Sequence, residues 1–288
     1  MGILTQQKIR DYYSEFKSIP VTFNKEIIQV TGLQTKQIIL KCGSDFFPCF
    51  VYSTTFEEAK VVASNKSGII KKLKEANNLA SIKFTFKTPA SGEQVAFLVS
   101  ARVTGFSSYD EAADMFMFTL QFSNRPPDDL IGIVGSILEA NVTSSKRKDE
   151  RINITPESLR KLHLITKDVG VTMEGVPRRC ILRDISFNGA RLIMLGLSKF
   201  LMDKRVSIKF DFNEPVESYV IAGKVTNVEN VADRKDMVVT HISYDDPIPM
   251  SYKIHLSNYL TSVRIIPTAA APPIATAPAS AGNTGTPT

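Results

Sequence analysis

Asp184-Ile185-Ser186-Phe187-Asn188-Gly189 is the stretch on which the reading of this chain turns. It lies between RRCILRDIS (178–186) and ARLIML (190–195), two runs rich in β-branched and large apolar residues. The six residues therefore read as the tight end of a strand pair. Asp184 and Ser186 are two apart, and on an extended chain they share a face. A carboxylate there can accept protons from an amide and amine edge such as that of guanine, and a hydroxyl can reach a phosphate oxygen. Gly189 permits a positive φ or a close approach by another backbone. A turn of this composition is also commonly held by nothing more than an Asx- or Ser-type hydrogen bond.

Outward from this turn the second half is mostly strand. LRKLHLITK (159–167) and RRCILRDIS read as strands joined by a loop containing Gly170, Gly175 and Pro177. ARLIML, RVSIKFDF (205–212), SYVIAGKVTNV (218–228) and DMVVTHISY (236–244) follow. Six short strands at close intervals predict a small barrel. After Pro249, the spacing of Leu256, Tyr259, Leu260 and Val263 predicts a helix. From 267 to 288 the chain is mostly Ala, Pro and Thr without charge, which predicts a disordered tail.

Upstream lies Arg147-Lys148-Asp149-Glu150-Arg151. Two arginines four apart project to one side. Their forks match a phosphate or the O6/N7 edge of guanine bidentately, which lysine does not. The first half repeats the outline of strands followed by a helix. A short helix over 3–17 precedes strands at 21–30, 36–42 and 46–54. The apolar spacing of Ile69, Leu73, Ala76 and Ala80 predicts a helix over 67–80. Strands return at 81–88, 94–103 and 114–122. A helix begins near Pro126, Pro127, Asp128 and Asp129, residues suited to a first turn. Gly132 and Gly135 read as packing positions on that helix. After Ala140 the polar NVTSSKRKDER reads as a domain boundary. No residue-level repeat between the halves is legible.

RxxxR, a strand hairpin and then DxSxxG together resemble the PilZ domain, over roughly residues 145–265. The resemblance implies a six-stranded β-barrel with a C-terminal helix, binding cyclic di-GMP without catalysis. It assigns Arg147 and Arg151 to guanine edges and phosphates, Asp184 and Ser186 to a guanine and its neighbouring phosphate-sugar, and Gly189 to the turn. Lys146, Lys148 and Asn188 are secondary candidates. The first half resembles the barrel-like companion domain found ahead of PilZ and contains neither motif, so it is not expected to bind the dinucleotide. The expected fold is mainly β with flanking helices, in two small barrels. The expected divisions are 1–140, a linker at 141–158 carrying RxxxR, the PilZ domain at 159–266, and the tail. NITPES (153–158) reads as an inserted turn before the first strand.

Composition sets the remaining bounds. A net charge of +6 suits an anionic partner without choosing one. Three cysteines without CxxC argue against a disulfide framework, and no apolar run approaches membrane-spanning length. A cytoplasmic location follows as the expectation. His163 and His241 are read as strand residues; with His255 they show no metal-ligand spacing. No P-loop or nucleophile elbow is present, and neither a metal nor any other cofactor is expected. The expected output passes to an unidentified downstream protein of motility, envelope or regulation. A nucleic-acid-binding regulator and a ligand-free structural adaptor are the alternative readings.

Overall fold

The computed structural model describes residues 4–88, 92–231 and 234–264; the predicted tail lies outside the described residues. Helix α1 (Gln6–Phe16) starts at Thr5, whose hydroxyl accepts from the Lys8 amide at 3.2 Å. The expected strand at 21–30 divides into β1 (Val21–Thr22) and helix α2 (Lys25–Thr31). Local end signals explain the correction. Asn24 Oδ1 accepts from the Ile27 amide at 2.9 Å, and Gly32 at φ 69° supplies the left-handed cap. Those caps outweigh the strand preference of Ile27, Ile28 and Val30. Then come β2 (Ile39–Cys42), β3 (Asp45–Thr54), β4 (Glu58–Ser64), α3 (Ile69–Glu75), β5 (Leu79–Lys87), β6 (Gln94–Asp110), β7 (Met115–Phe122) and α4 (Asp128–Lys146). Helix α3 is shorter than its apolar spacing predicts. Asn77 and Asn78 adopt positive φ (52° and 59°), and Ala80 passes into β5.

The second half opens with β8 (Ile152–Asn153) and α5 (Pro156–Leu162). The strand expected at 159–167 is thus a helix and its exit. Thr155 and Ser158 cap one another reciprocally, at 3.1 and 2.8 Å, and Pro156 takes the first turn. His163 ends the helix at φ 58°, so it is not a strand residue. The first barrel strand is instead β9 (Asp168–Met173), in the segment whose Gly170 suggested a loop. Val169, Val171 and Met173 alternate inward there, as a half-buried strand requires. β10 (Val176–Ile185), β11 (Gly189–Leu195), α6 (Ser198–Leu201), β12 (Arg205–Asn213), β13 (Val216–Val231), β14 (Arg234–Tyr244) and α7 (Met250–Arg264) complete it.

Both halves close into six-stranded antiparallel barrels with the same topology. The first runs β3-β2-β5-β6-β7-β4 and closes through β3–β4. The second runs β10-β9-β12-β13-β14-β11 and closes through β10–β11. Each carries a two-residue strand outside the ring: β1 on β3, and β8 on β10. Helix α4 continues to Lys146, so the polar stretch from 141 is helical, and only Arg147–Arg151 separates α4 from β8.

Each barrel has its own apolar core, and α7 serves both. Met250 and Ile254 pack with the first core, whereas Tyr252, Leu256 and Leu260 pack with the second. The four-residue steps put each set on its own helix face. The Met250 amide also donates to the Glu26 carboxylate of α2. Helix α1 seats on α4 at Gly135, where a Cβ would lie 2.3 Å from the Tyr12 ring. That bears out its reading as a packing position.

Candidate functional site

Strand β8 brings the interdomain segment to the Asp184 turn. Ile152 pairs with Ile185 and Asn153 with Asp184, and the Ile154 amide donates to the Arg183 carbonyl at 2.9 Å. Arg151, the residue just before β8, is thereby delivered to Asp184. Its Nη1 donates to Asp184 Oδ1 at 2.6 Å. The other carboxylate oxygen accepts from Arg191 Nε at 2.5 Å. Asp184 is fully buried, while the Arg151 and Arg191 side chains are 33% and 24% exposed. A buried carboxylate needs such partners. In return it fixes two guanidinium groups side by side, each partly open to solvent.

The turn itself is tied down from three directions. The Ser186 amide donates to the Gly189 carbonyl at 2.8 Å, and Ser186 Oγ donates to Asn188 Oδ1 at 2.7 Å. From α7, the Tyr252 hydroxyl donates to the Ser186 carbonyl at 2.9 Å, with the Tyr244 hydroxyl 3.2 Å from it. Burial raises the pKa of both phenols, which keeps them protonated. From the interdomain segment, Asp149 Oδ1 accepts from Asn188 Nδ2 at 2.7 Å. Gly189 is required by close approach rather than by positive φ. A Cβ there would lie 2.2 Å from the Ile242 carbonyl oxygen of β14.

The structure therefore brings together Arg151, Asp184, Ser186, Asn188 and Gly189, and leaves Arg147 apart. Arg147 caps the end of α4, its amide bonded to the Thr143 carbonyl at 2.9 Å. With Lys146 it lines a cavity of about 220 Å³ beside Lys8, Asp11 and Tyr12 of α1. Its Nε is 3.7 Å from Glu150 Oε2, and its Nη1 is buried without a hydrogen-bond partner. Lys148 is exposed. Two polar partners escaped the sequence reading, Asp149 and Arg191. Arg191 was within reach of it. Taking Ser186 and Gly189 as the closing pair of a hairpin sets 185 against 190 and 184 against 191, as observed.

The first barrel presents the same turn with different chemistry. Ser53 pairs with Lys60 and with Thr22, just as Asp184 pairs with Arg191 and Asn153. The Thr55 amide donates to the Glu58 carbonyl at 2.8 Å, matching Ser186 and Gly189. Phe56 and Phe187 are both buried at equivalent places. Thr55-Phe56 against Ser186-Phe187 is thus a short residue-level repeat that sequence alone did not reveal. In this register Pro20 stands for Arg151, Ser53 for Asp184 and Glu58 for Gly189. The first turn accordingly has no buried carboxylate and no arginine pair.

Comparisons with known proteins agree with this architecture. A PilZN3 domain profile matches residues 7–141, and a PilZ domain profile matches residues 145–262. Over 266 residues the chain is 37% identical to a cyclic di-GMP binding protein of Treponema denticola, covering 92% of this chain and 85% of that protein. The Borreliella burgdorferi PlzA protein, crystallised in complex with c-di-GMP, is 23% identical. That match covers 89% of this chain and 99% of PlzA, with a TM-score of 0.41. YcgR of Escherichia coli in complex with c-di-GMP is 14% identical, covering 83% and 88%, with a TM-score of 0.29. Two barrels of one topology, the domain profiles and the Treponema relative lead to one conclusion: the chain belongs to the PilZ family, as a PilZN3 domain followed by a PilZ domain.

Proposed function

We propose that the chain is a non-catalytic receptor for cyclic di-GMP, bound where the interdomain segment meets the β10–β11 turn. The observation that carries this reading is the buried Asp184 carboxylate holding Arg151 and Arg191 together. Cyclic di-GMP offers two phosphates and two guanines, and both groups are met well by guanidinium forks of fixed orientation. The Treponema relative, a cyclic di-GMP binding protein, supports the same ligand. Asp184 acts here chiefly by orienting the arginines, since both of its oxygens are occupied and none of its side chain is exposed.

Arg147 joins the site only when the ligand is bound. Against α1 its buried Nη1 has no partner, so little is given up when it leaves. The segment Arg147–Glu150 can then fold over the dinucleotide, exchanging the exposed Asn188–Asp149 bond for contacts to the ligand. Because α4 ends at Arg147, this movement changes how the two barrels are oriented. The shift is limited by the ligand's differential affinity for the two arrangements. A downstream protein reads the new orientation.

Thermal unfolding with and without cyclic di-GMP tests the reading. At about a hundred-fold excess over Kd, binding stabilises the folded chain by roughly 2.7 kcal/mol, enough to raise Tm by several degrees. Arg147→Ala should unfold at the wild-type temperature without ligand and lose most of the ligand-induced rise. An unchanged rise in Arg147→Ala would remove Arg147 from the site.

A further inference from the structure

The far end of the second barrel carries a feature that cyclic di-GMP binding does not explain. Strand β11 leads away from the Asp184 turn for seven residues, roughly 20 Å. At its last residue and beyond, Leu195, Leu197, Phe200 and Met202 are 63%, 53%, 61% and 43% exposed. Leu201, in the same turn, is buried and anchors it. Three cations surround these side chains. Arg178 Nη1 donates to the Leu195 carbonyl at 3.4 Å, Arg179 follows it on β10 with its side chain exposed, and Lys199 Nζ lies 4.8 Å from the centre of the Phe200 ring.

Among the described residues the charges at this end are not balanced. Glu174, Asp203 and Asp236 are each paired, with Lys204, Lys224 and Arg234 respectively. Arg178, Arg179 and Lys199 have no ion pair among the described residues. What remains, among the described residues, is an apolar tip fringed by cations that have no ion pair.

We propose that this tip is a peripheral contact for an anionic lipid bilayer. Leu197 and Phe200 enter the boundary between headgroups and acyl chains, and Arg178, Arg179 and Lys199 lie at the level of the phosphates. The exposed side chains stand out from the barrel rim on a short turn. A fluid surface accepts such a shape without a matching recess, and its negative potential selects the unpaired cations. Contact at this end leaves the Asp184 turn facing water, so membrane contact and dinucleotide binding are compatible.

Co-sedimentation of the full chain with lipid vesicles tests this. Wild type should pellet with vesicles of phosphatidylcholine and phosphatidylglycerol, pellet far less with phosphatidylcholine alone, and be released by high salt. Phe200→Glu, and separately Arg178→Glu with Arg179→Glu, should each lower the bound fraction about ten-fold or more at an unchanged melting temperature. Phe50→Glu alters an equally exposed aromatic on β3 and should bind like wild type. Wild type remaining in the supernatant with anionic vesicles would overturn the proposal. So would a Phe50→Glu loss matching that of Phe200→Glu, which would move any lipid contact to the first barrel.

Discussion

At Gly189 a side chain has nowhere to go, because the backbone of β14 occupies the space a Cβ needs. Gly189→Ala must force β11 away from β14 and distort the turn that carries Ser186. We expect a stability loss of about 2 kcal/mol in denaturant unfolding, together with weakened ligand binding. Asp184 is legible as a site residue because a spacing of two fixes a shared face in any strand. Its partners are less so. Arg191 follows only once the hairpin register is set, and the placement of Arg147 depends on how far α4 runs. His255 carries a separate prediction. It is buried and stacked on Phe212, ring centres 3.9 Å apart. Burial, with His163 nearby, lowers its pKa from 6.5 to about 4. The unfolded chain then binds the extra proton between those values. The stabilisation is full above pH 6.5 and is lost as pH falls through 4, amounting to up to roughly 3 kcal/mol. His255→Phe keeps the stack, so its melting temperature should fall less on acidification than that of wild type. Parallel pH curves would contradict this.

Among the elements, the longer helices and most strands could be read from apolar spacing, whereas α2, α5 and β9 could not. Helices α2 and α5 are two turns long, too short for periodicity to outvote Ile, Val and Leu. Their caps were the better signal: Asn24 with Gly32, and Thr155-Pro156 with Ser158. Strand β9 was hidden by Gly170, which has no core role because it points outward between Val169 and Val171. Helix α7 links the site to the rest of the fold, since Tyr252 bonds the Ser186 carbonyl while Met250 and Ile254 pack with the first core. Tyr252→Phe leaves that carbonyl and the Tyr244 hydroxyl without their partner. We expect a loss of about 1–2 kcal/mol in denaturant unfolding and weaker ligand binding. Wild-type stability would show that the hydroxyl is dispensable.

For the whole molecule, duplication was visible only as an outline in the sequence. The shared strand order, the extra strands β1 and β8, and the matching turns at Ser53 and Asp184 make it a repeat of architecture. Divergence at that one turn separates the halves. The first has Pro20, Ser53 and Glu58 where the second has Arg151, Asp184 and Gly189. With only Arg147–Arg151 between α4 and β8, reordering of those residues by the ligand is proposed to alter the relation between the barrels. Small-angle scattering should therefore change on addition of cyclic di-GMP in wild type and remain unchanged in Arg147→Ala; identical wild-type profiles would argue against reorientation. The central claim is most directly tested by calorimetric titration of cyclic di-GMP into wild type and Arg151→Ala. Binding is expected in wild type, with a roughly 10- to 100-fold weaker interaction in the variant, the consequence of losing charge-assisted hydrogen bonds worth roughly 1.5–3 kcal/mol. Equal affinity in the two proteins, or no binding by folded wild type, would contradict it.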